Sequence, residues 1–359
     1  MTKGLCMILF DKRYIWFILF VWSIALGSTS CNKVIFEYPE DCEVTHSIRF
    51  VYDMNLKWAD AFPSEVNSVN LYVFDSNGVF IKEYQESGVA LSNPTFTIKL
   101  DLPSGVTYQF LAWCGLDNPN ADSESFSVIR PVAGATTIEE MSCSLKTTTE
   151  NGKEYSDQYL NFLYHGYLKQ ELEDSQEKAD FIYTMYLTKD TNHVRVMLQQ
   201  VDGNITAEDF DISISAENGL LSWDNLPLGD TPIEYLPWYM TSDILGIGNS
   251  DGEMVEYTGV VADLSSSRFM ADRVKDVYLT VRRKDNGELL FKVPLLQYAL
   301  TEKSYYEMAY HHTMTDQEFL DRQDEYFMTF FLGKNLDWLY MVLEILEWRV
   351  VIHNYSAGS

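Results

Sequence analysis

Cys31 is the residue whose surroundings most clearly specify a reaction. Ahead of it, Lys3, Lys12 and Arg13 make a basic start, and Tyr14 to Leu26 is an apolar run without a charge. A run of that length suits the hydrophobic core of a signal peptide and is short for a bilayer span. Gly27-Ser28-Thr29-Ser30 then supplies small side chains before the cysteine. A lipoprotein signal peptidase needs this succession, because small residues fit its cleft and the thiol receives diacylglycerol. Ser28 stands where a lipobox usually has Leu, and Leu26 comes two residues too early. A plain secretory signal with a chance cysteine is the competing reading. Met7 would give a tidier start than Met1.

Other reactive constellations are sparse. His46, His165, His193, His311, His312 and His353 are scattered, with no HExxH and no metal-ligand spacing. The adjacent pair His311-His312 would point to opposite faces of a strand. No GxSxG elbow, phosphate-binding P-loop or GxGxxG turn occurs. A pair of carboxylates for glycoside hydrolysis needs only a fixed separation, which spacing cannot select. The expected sets of catalytic, cofactor-binding and metal-ligating residues are therefore empty, with no small-molecule substrate. Cys31 is the one candidate site, for lipidation. Once Cys6 leaves with the leader and Cys31 takes lipid, Cys42, Cys114 and Cys143 remain. One bridge among the three and three buried thiols are both open.

The elements that must carry any site are strands. Alternate apolar residues recur at Ile48/Phe50/Tyr52, Val69/Leu71/Val73, Phe96/Ile98/Leu100 and Val106/Tyr108/Phe110/Ala112. Val194/Val196/Leu198, Phe210/Ile212/Ile214, Val277/Leu279/Val281 and a strand through Val293 and Leu295 continue the pattern. Asp75-Ser76-Asn77-Gly78 marks a tight hairpin turn. Asp202-Gly203, Asn218-Gly219, Asp251-Gly252 and Asn286-Gly287 mark others. Thr137/Glu140 and Thr315/Glu318 have capping-box spacing and predict short helical turns. Trp338 to Tyr355 reads as one long or two short terminal strands.

The charged stretch Lys169–Asp180 reads as an exposed loop and places a domain boundary. The expected organisation is a leader over 1–30, a lipidated tether over 31–45 and β-sandwiches over 46–175 and 176–359. The fold class is thus all-β, as two antiparallel sandwiches in tandem.

Composition narrows the partners. Residues 1–31 hold three basic and one acidic residue; without them 23 Lys and Arg face 52 Asp and Glu, a net charge near −29. That field repels phosphate backbones, which argues against nucleic acid as a partner. Aromatics are abundant, and clusters such as Tyr155/Tyr159/Tyr164/Tyr167 and Tyr305/Tyr306/Tyr310 suit both β cores and exposed contacts.

A series of dispersed blocks then points to a family. Arg49-Phe50-Val51-Tyr52-Asp53-Met54-Asn55 is followed by Ala59-Asp60-Ala61-Phe62, Glu65-Val66 and Leu71-Tyr72-Val73-Phe74-Asp75. Phe110 to Gly115, Tyr164-His165-Gly166 and Leu187 to Asn192 come next. Asp209-Phe210, Asn218-Gly219, Ser267-Arg268, Asp316 to Arg322 and Trp348-Arg349-Val350-Val351 complete the series. In this order the blocks resemble the FimB-type fimbrial anchor lipoproteins of Bacteroidales, over about residues 31–352. The resemblance implies transthyretin-like sandwiches held to the outer membrane by lipid on Cys31, facing the surface or the periplasm at the base of a fimbria. It further implies fimbrial shaft subunits as partners, joined through β-strand interactions, with fibre length limited by the anchor. No catalytic residue belongs to that pattern. A glycan-binding surface lipoprotein and a hydrolase with a carboxylate pair are the alternatives from other classes.

Overall fold

The strand Ser68–Phe74 is buried at every position, which requires cover on both faces of its sheet. The computed structural model describes residues 44–116, 125–200, 203–229, 231–250, 253–345 and 348–353. The leader, Cys31, Cys42, the tether through residue 43, Asp202, the Asp251-Gly252 turn and the chain after His353 lie outside the described residues. One compact unit comprises Thr45–Asp174 and Asp180–Ser359. A second groups Met1–Val44 with Ser175–Ala179; in its described part the Glu177 amide donates to the Ser175 hydroxyl at 3.1 Å.

Ser68–Phe74 sits within a five-stranded sheet ordered Thr188–Lys189, Tyr164–Glu171, Thr107–Cys114, Ser68–Phe74, Phe80–Ser87. Successive side chains on a strand face opposite ways. Val69, Leu71, Val73, Phe110 and Ala112 accordingly enter one core with Ile48, Phe50, Leu91 and Ile98. Tyr72, Phe74, Leu111 and Trp113 enter the other. The first core is closed by a three-stranded sheet of Ala179–Tyr186, Val44–Val51 and Thr97–Leu100. The acidic stretch 169–180 thus forms the end of one strand, a connection and the start of the next.

The larger core lies between further sheets. A six-stranded sheet runs Tyr239–Ser250, Glu253–Ser267, Thr191–Gln200, Glu325–Leu332, Trp338–Ile345, Trp348–His353. A second runs Leu289–Pro294, Tyr278–Arg283, Phe210–Ala216, Ile233–Tyr235, Lys153–Ser156, Thr148–Glu150. Ser142–Leu145 pairs with both Phe126–Val128 and Leu220–Ser222. Strands before residue 160 therefore complete sheets built mainly from the C-terminal half.

Among the described residues, the predicted turn over 75–78 and the caps at Thr137 and Thr315 are present. Asp75 Oδ1 accepts from the amides of Asn77 and Val79 at 2.8 and 2.9 Å, and Gly78 takes φ 83°. The Thr315 hydroxyl accepts the Glu318 amide at 3.0 Å and opens the helix Asp316–Arg322. The predicted C-terminal strand pattern is the hairpin Trp338–Ile345 and Trp348–His353.

Two features depart from the sequence reading. Leu295 begins a 16-residue helix, Leu295–Tyr310, where a strand end was expected. Its buried face, Leu295, Ala299, Glu302 and Tyr306, keeps helical spacing but includes an acid, and Pro294 at the N-cap offers no capping side chain. The antiparallel expectation also fails at two places. Thr191–Gln200 runs parallel to Glu325–Leu332, and Ile233–Tyr235 runs parallel to Lys153–Ser156. Each pair is far apart in sequence, which leaves ample chain for the crossover that parallel pairing needs.

Candidate functional site

His46, His165, His311 and His312 each have their own setting. His46 meets the Ser104 hydroxyl at 2.9 Å and stacks on Phe181. Buried His165 meets the Trp223 carbonyl at 2.8 Å, and burial pushes its pKa down to about 4. His311 ends the long helix in the left-handed region, and His312 packs edge-on to Trp58 at 4.7 Å. Among the described residues no group of three His, Cys, Asp or Glu side chains is placed to hold a metal. Cys114 and Cys143 are free and buried. They belong to different hydrophobic cores, so they cannot bridge one another. Of the tyrosine clusters, Tyr164 and Tyr306 are core residues, whereas Tyr159, Tyr167 and Tyr310 are exposed.

What the structure does bring together is a polar lock. Arg268 forks onto the Asp321 carboxylate with two bonds of 2.8 Å and donates to the Asn225 carbonyl. Asn225 donates 2.8 Å to fully buried Asp190, whose pKa burial raises to about 7 against the pull of Arg268. Asn218 donates to the carbonyls of Ser267 and Arg268 and accepts from the Tyr235 hydroxyl at 2.7 Å. A second knot adjoins it. The Lys189 ammonium, almost fully buried, lies 2.5 Å from Asp324, 3.6 Å from Glu65 and 3.5 Å above the Phe162 ring. Arg322 reaches the backbone carbonyls of Asp53 and Asn55 at 2.9 and 3.2 Å.

Asn225, Tyr235, Asp324 and Phe162 lie outside the dispersed blocks, whereas Asp53, Asn55, Lys189, Asp190, Asn218, Ser267, Arg268, Asp321 and Arg322 come from them. Their convergence gives the blocks a physical meaning: they tie the N-terminal sheets to the helix Asp316–Arg322 and the C-terminal sheets. Buried charges cost several kcal/mol each unless paired, so removing one member leaves its partner's charge uncompensated. Nothing in the spacing marked Asn225 or Trp58 as members. Both sit in loops, and only tertiary contact defines them.

The sheet edges differ in chemistry. Phe80–Ser87, an edge of the five-stranded sheet, carries Lys82, Glu83 and Glu86, and charges of this kind discourage pairing with another chain. Trp348–His353 is an edge of the six-stranded sheet and is mostly apolar, with Val351 48% exposed.

Comparison with known proteins agrees with the strand-rich fold. The family described as fimbrillin-A associated anchor proteins Mfa1 and Mfa2 matches residues 38–354. The minor fimbrium anchoring subunit Mfa2 of Porphyromonas gingivalis is 25% identical over 201 residues, 55% of this chain and 58% of the relative. The chain thus aligns with little over half of that relative's length. A Bacteroides thetaiotaomicron structure described as a candidate adhesin superposes with TM-score 0.70 at 32% identity, covering 86% of this chain and 97% of the other. The solved Mfa2 of Porphyromonas gingivalis shares the fold, with TM-score 0.60 at 15% identity over 87% of this chain and 99% of that one. The chain belongs to the fimbrillin-A associated anchor protein family.

Proposed function

We propose that this chain is an outer-membrane lipoprotein at the base of a fimbria, which tethers the fibre through lipid on Cys31 and limits its length. The observation that carries this reading is the short sequence separation between Cys31 and the first described strand in a member of a fimbrial anchor family. Residues 32–43 separate that cysteine from the first described strand, Val44–Val51. Fully extended, twelve residues reach about 40 Å, enough to hold the sheets clear of a bilayer surface. A diacylglycerol and an N-acyl chain together give stable anchoring, where a single chain would not.

The shaft subunit is proposed to join by strand addition, in which main-chain hydrogen bonds supply affinity and alternate side chains supply fit. The apolar edge Trp348–His353 is the better acceptor, because the charged edge Phe80–Ser87 is blunted against it. A subunit fixed in lipid cannot be passed outward, so growth stops where it joins. This role asks for no catalytic residue, cofactor or metal.

Mass spectrometry of the mature N-terminus tests the tether. Acyl chains on Cys31 are expected, and Cys31→Ala should shed fimbriae into the medium. An unmodified N-terminus on protein that partitions into the aqueous phase would overturn the reading.

A further inference from the structure

One rung crosses four strands of the six-stranded sheet: Tyr239, Asp263, Arg195 and Phe327 are register partners in turn. Their chain neighbours Val194, Leu264 and Tyr326 are buried in the large core, so strand alternation turns this rung to the outer face. The next rung brings Ser265, His193 and Glu325 into line. The segment between Ser156 and Tyr164 walls this face with Tyr159 and Phe162. Trp238 adjoins Tyr159, its amide bonded to the Asp263 carbonyl at 3.0 Å. The result is a cleft of about 310 Å³, lined by Tyr159, Arg195, Trp238, Asp263, Glu325 and Phe327 among others.

Three properties of the cleft specify a ligand. Its aromatic rings are left open to solvent: Tyr159, Trp238 and Phe327 are 46%, 38% and 39% exposed. Two of them are also held in place. Tyr159 stacks on His193 at 4.9 Å, and Trp238 meets Tyr159 edge-on at 5.2 Å and 86°. In the same cleft, Arg195 Nε and Nη2 bind the Asp263 carboxylate at 2.6 and 2.9 Å, which presents a donor and an acceptor side by side. His193 lines the same cleft, and its Nε2 is buried without a hydrogen-bond partner.

Fixed aromatic faces beside paired donor and acceptor groups match a molecule with an apolar face and a rim of hydroxyls, which is a sugar ring. An aromatic face takes the C–H side, while Arg195 with Asp263 and Glu325 can each serve a neighbouring hydroxyl. The chain's net charge of −27, with Asp263 and Glu325 in the cleft, disfavours acidic sugars. A second cleft, of about 580 Å³, shares Phe162, Glu325 and Phe327 as walls, so the bound chain has room for more than one residue. We infer that this outer-face cleft is a binding site for neutral oligosaccharides. It stands independently of the lipid tether and of strand addition.

The test is an array of neutral and acidic oligosaccharides probed with the full chain in detergent, followed by titration of the strongest neutral hit. Binding should weaken roughly tenfold or more in Trp238→Ala and in Arg195→Gln, the size of loss typical of a central aromatic or arginine contact. Trp238→Phe should keep most of the affinity, and Tyr186→Ala, an exposed aromatic elsewhere, should keep all of it. Unchanged thermal melting certifies that each variant is folded. Absence of any neutral saccharide hit, or affinity indifferent to both Trp238→Ala and Arg195→Gln, overturns the proposal. So does protection of the cleft by a fimbrial subunit alone.

Discussion

Arg322 lays its guanidinium 3.6 Å over the Trp58 ring while donating to the carbonyls of Asp53 and Asn55. The bond to Asp53 joins residues 269 apart in the chain, and Glu318 holds the Nε side at 3.0 Å. One side chain therefore fastens the helix Asp316–Arg322 to the loop that follows the first strand. Removing it leaves two carbonyls and a carboxylate short of a donor. Arg322→Ala should cost about 2–4 kcal/mol in urea unfolding, from lost charge-assisted hydrogen bonds and the cation–π contact. Arg322→Lys should recover only part of that, because an ammonium lacks the planar fork. Equal stability of the alanine and parent chains would show that the lock is ornamental.

Glycine is required at position 115 for two reasons. Its φ is +93°, and a Cβ there would sit 1.9 Å from the Phe162 carbonyl oxygen. Its amide also bonds to the Ser68 carbonyl at 3.1 Å, so the backbone cannot retreat freely. Gly115→Ala should destabilise by at least about 3 kcal/mol, combining a strained backbone with a steric clash against main chain. Expression, melting temperature and urea midpoint read the effect. A variant melting within a few degrees of the parent would contradict this close approach.

Much of this architecture was legible locally, and the exceptions have physical causes. Alternation at Val69/Leu71/Val73 and Phe210/Ile212/Ile214 marks strands because one face of each must be apolar. The Asp75-Gly78 turn and the Thr315 cap are read directly, since each is completed within five residues. The helix Leu295–Tyr310 was hidden because Glu302 interrupts its buried stripe and Pro294 supplies no cap. The pairings of Ser142–Leu145 with Leu220–Ser222 and of Lys153–Ser156 with Ile233–Tyr235 leave no local trace. The lock was visible as separate blocks, yet their common destination depends on partners such as Asn225 and Trp58 in unremarkable loops. The aromatic cleft was less visible still. Tyr159 read as one of a cluster of tyrosines, and Arg195 and Asp263 meet only through strand register.

Glu302 predicts a pH dependence of defined sign. It is 2% exposed, and burial raises its pKa from 4.5 to about 8, with Tyr306 and Tyr326 among its neighbours. Between pH 4.5 and 8 the unfolded chain releases this proton and the folded chain holds it. The stability that protonated Glu302 contributes is therefore complete below pH 4.5, declines up to about 8 and is absent above. At about 1.4 kcal/mol per pH unit the total is a few kcal/mol. Glu302→Gln keeps the shape without the charge, so it should flatten this decline and exceed the parent in stability at pH 8.5. Urea midpoints at pH 5 and pH 8.5 decide it; parallel losses in both chains would remove Glu302 from the account.

Cys114 and Cys143 should resist thiol reagents in the native chain. Both are buried, and burial raises their pKa values, so neither thiolate nor access is available. Peptide mapping after brief alkylation should find these two positions unlabelled, and labelled once urea is added. Rapid native labelling of either would mean that its core opens readily.

The terminal hairpin separates folding from assembly. Val351 is 48% exposed on the edge strand Trp348–His353, so a charge there meets water in the isolated chain. Val351→Asp should change stability by no more than about 0.5 kcal/mol, the range of ordinary surface substitutions. If a shaft subunit adds its strand along this edge, the same carboxylate is buried against apolar side chains in the junction and weakens it. Fimbriae should then be released into the medium while the variant itself stays with the cell envelope. Glu86→Ala on the charged edge Phe80–Ser87 should leave fibre retention unchanged. Full retention in Val351→Asp, with release in a matched variant of the other edge, would move the junction to the five-stranded sheet.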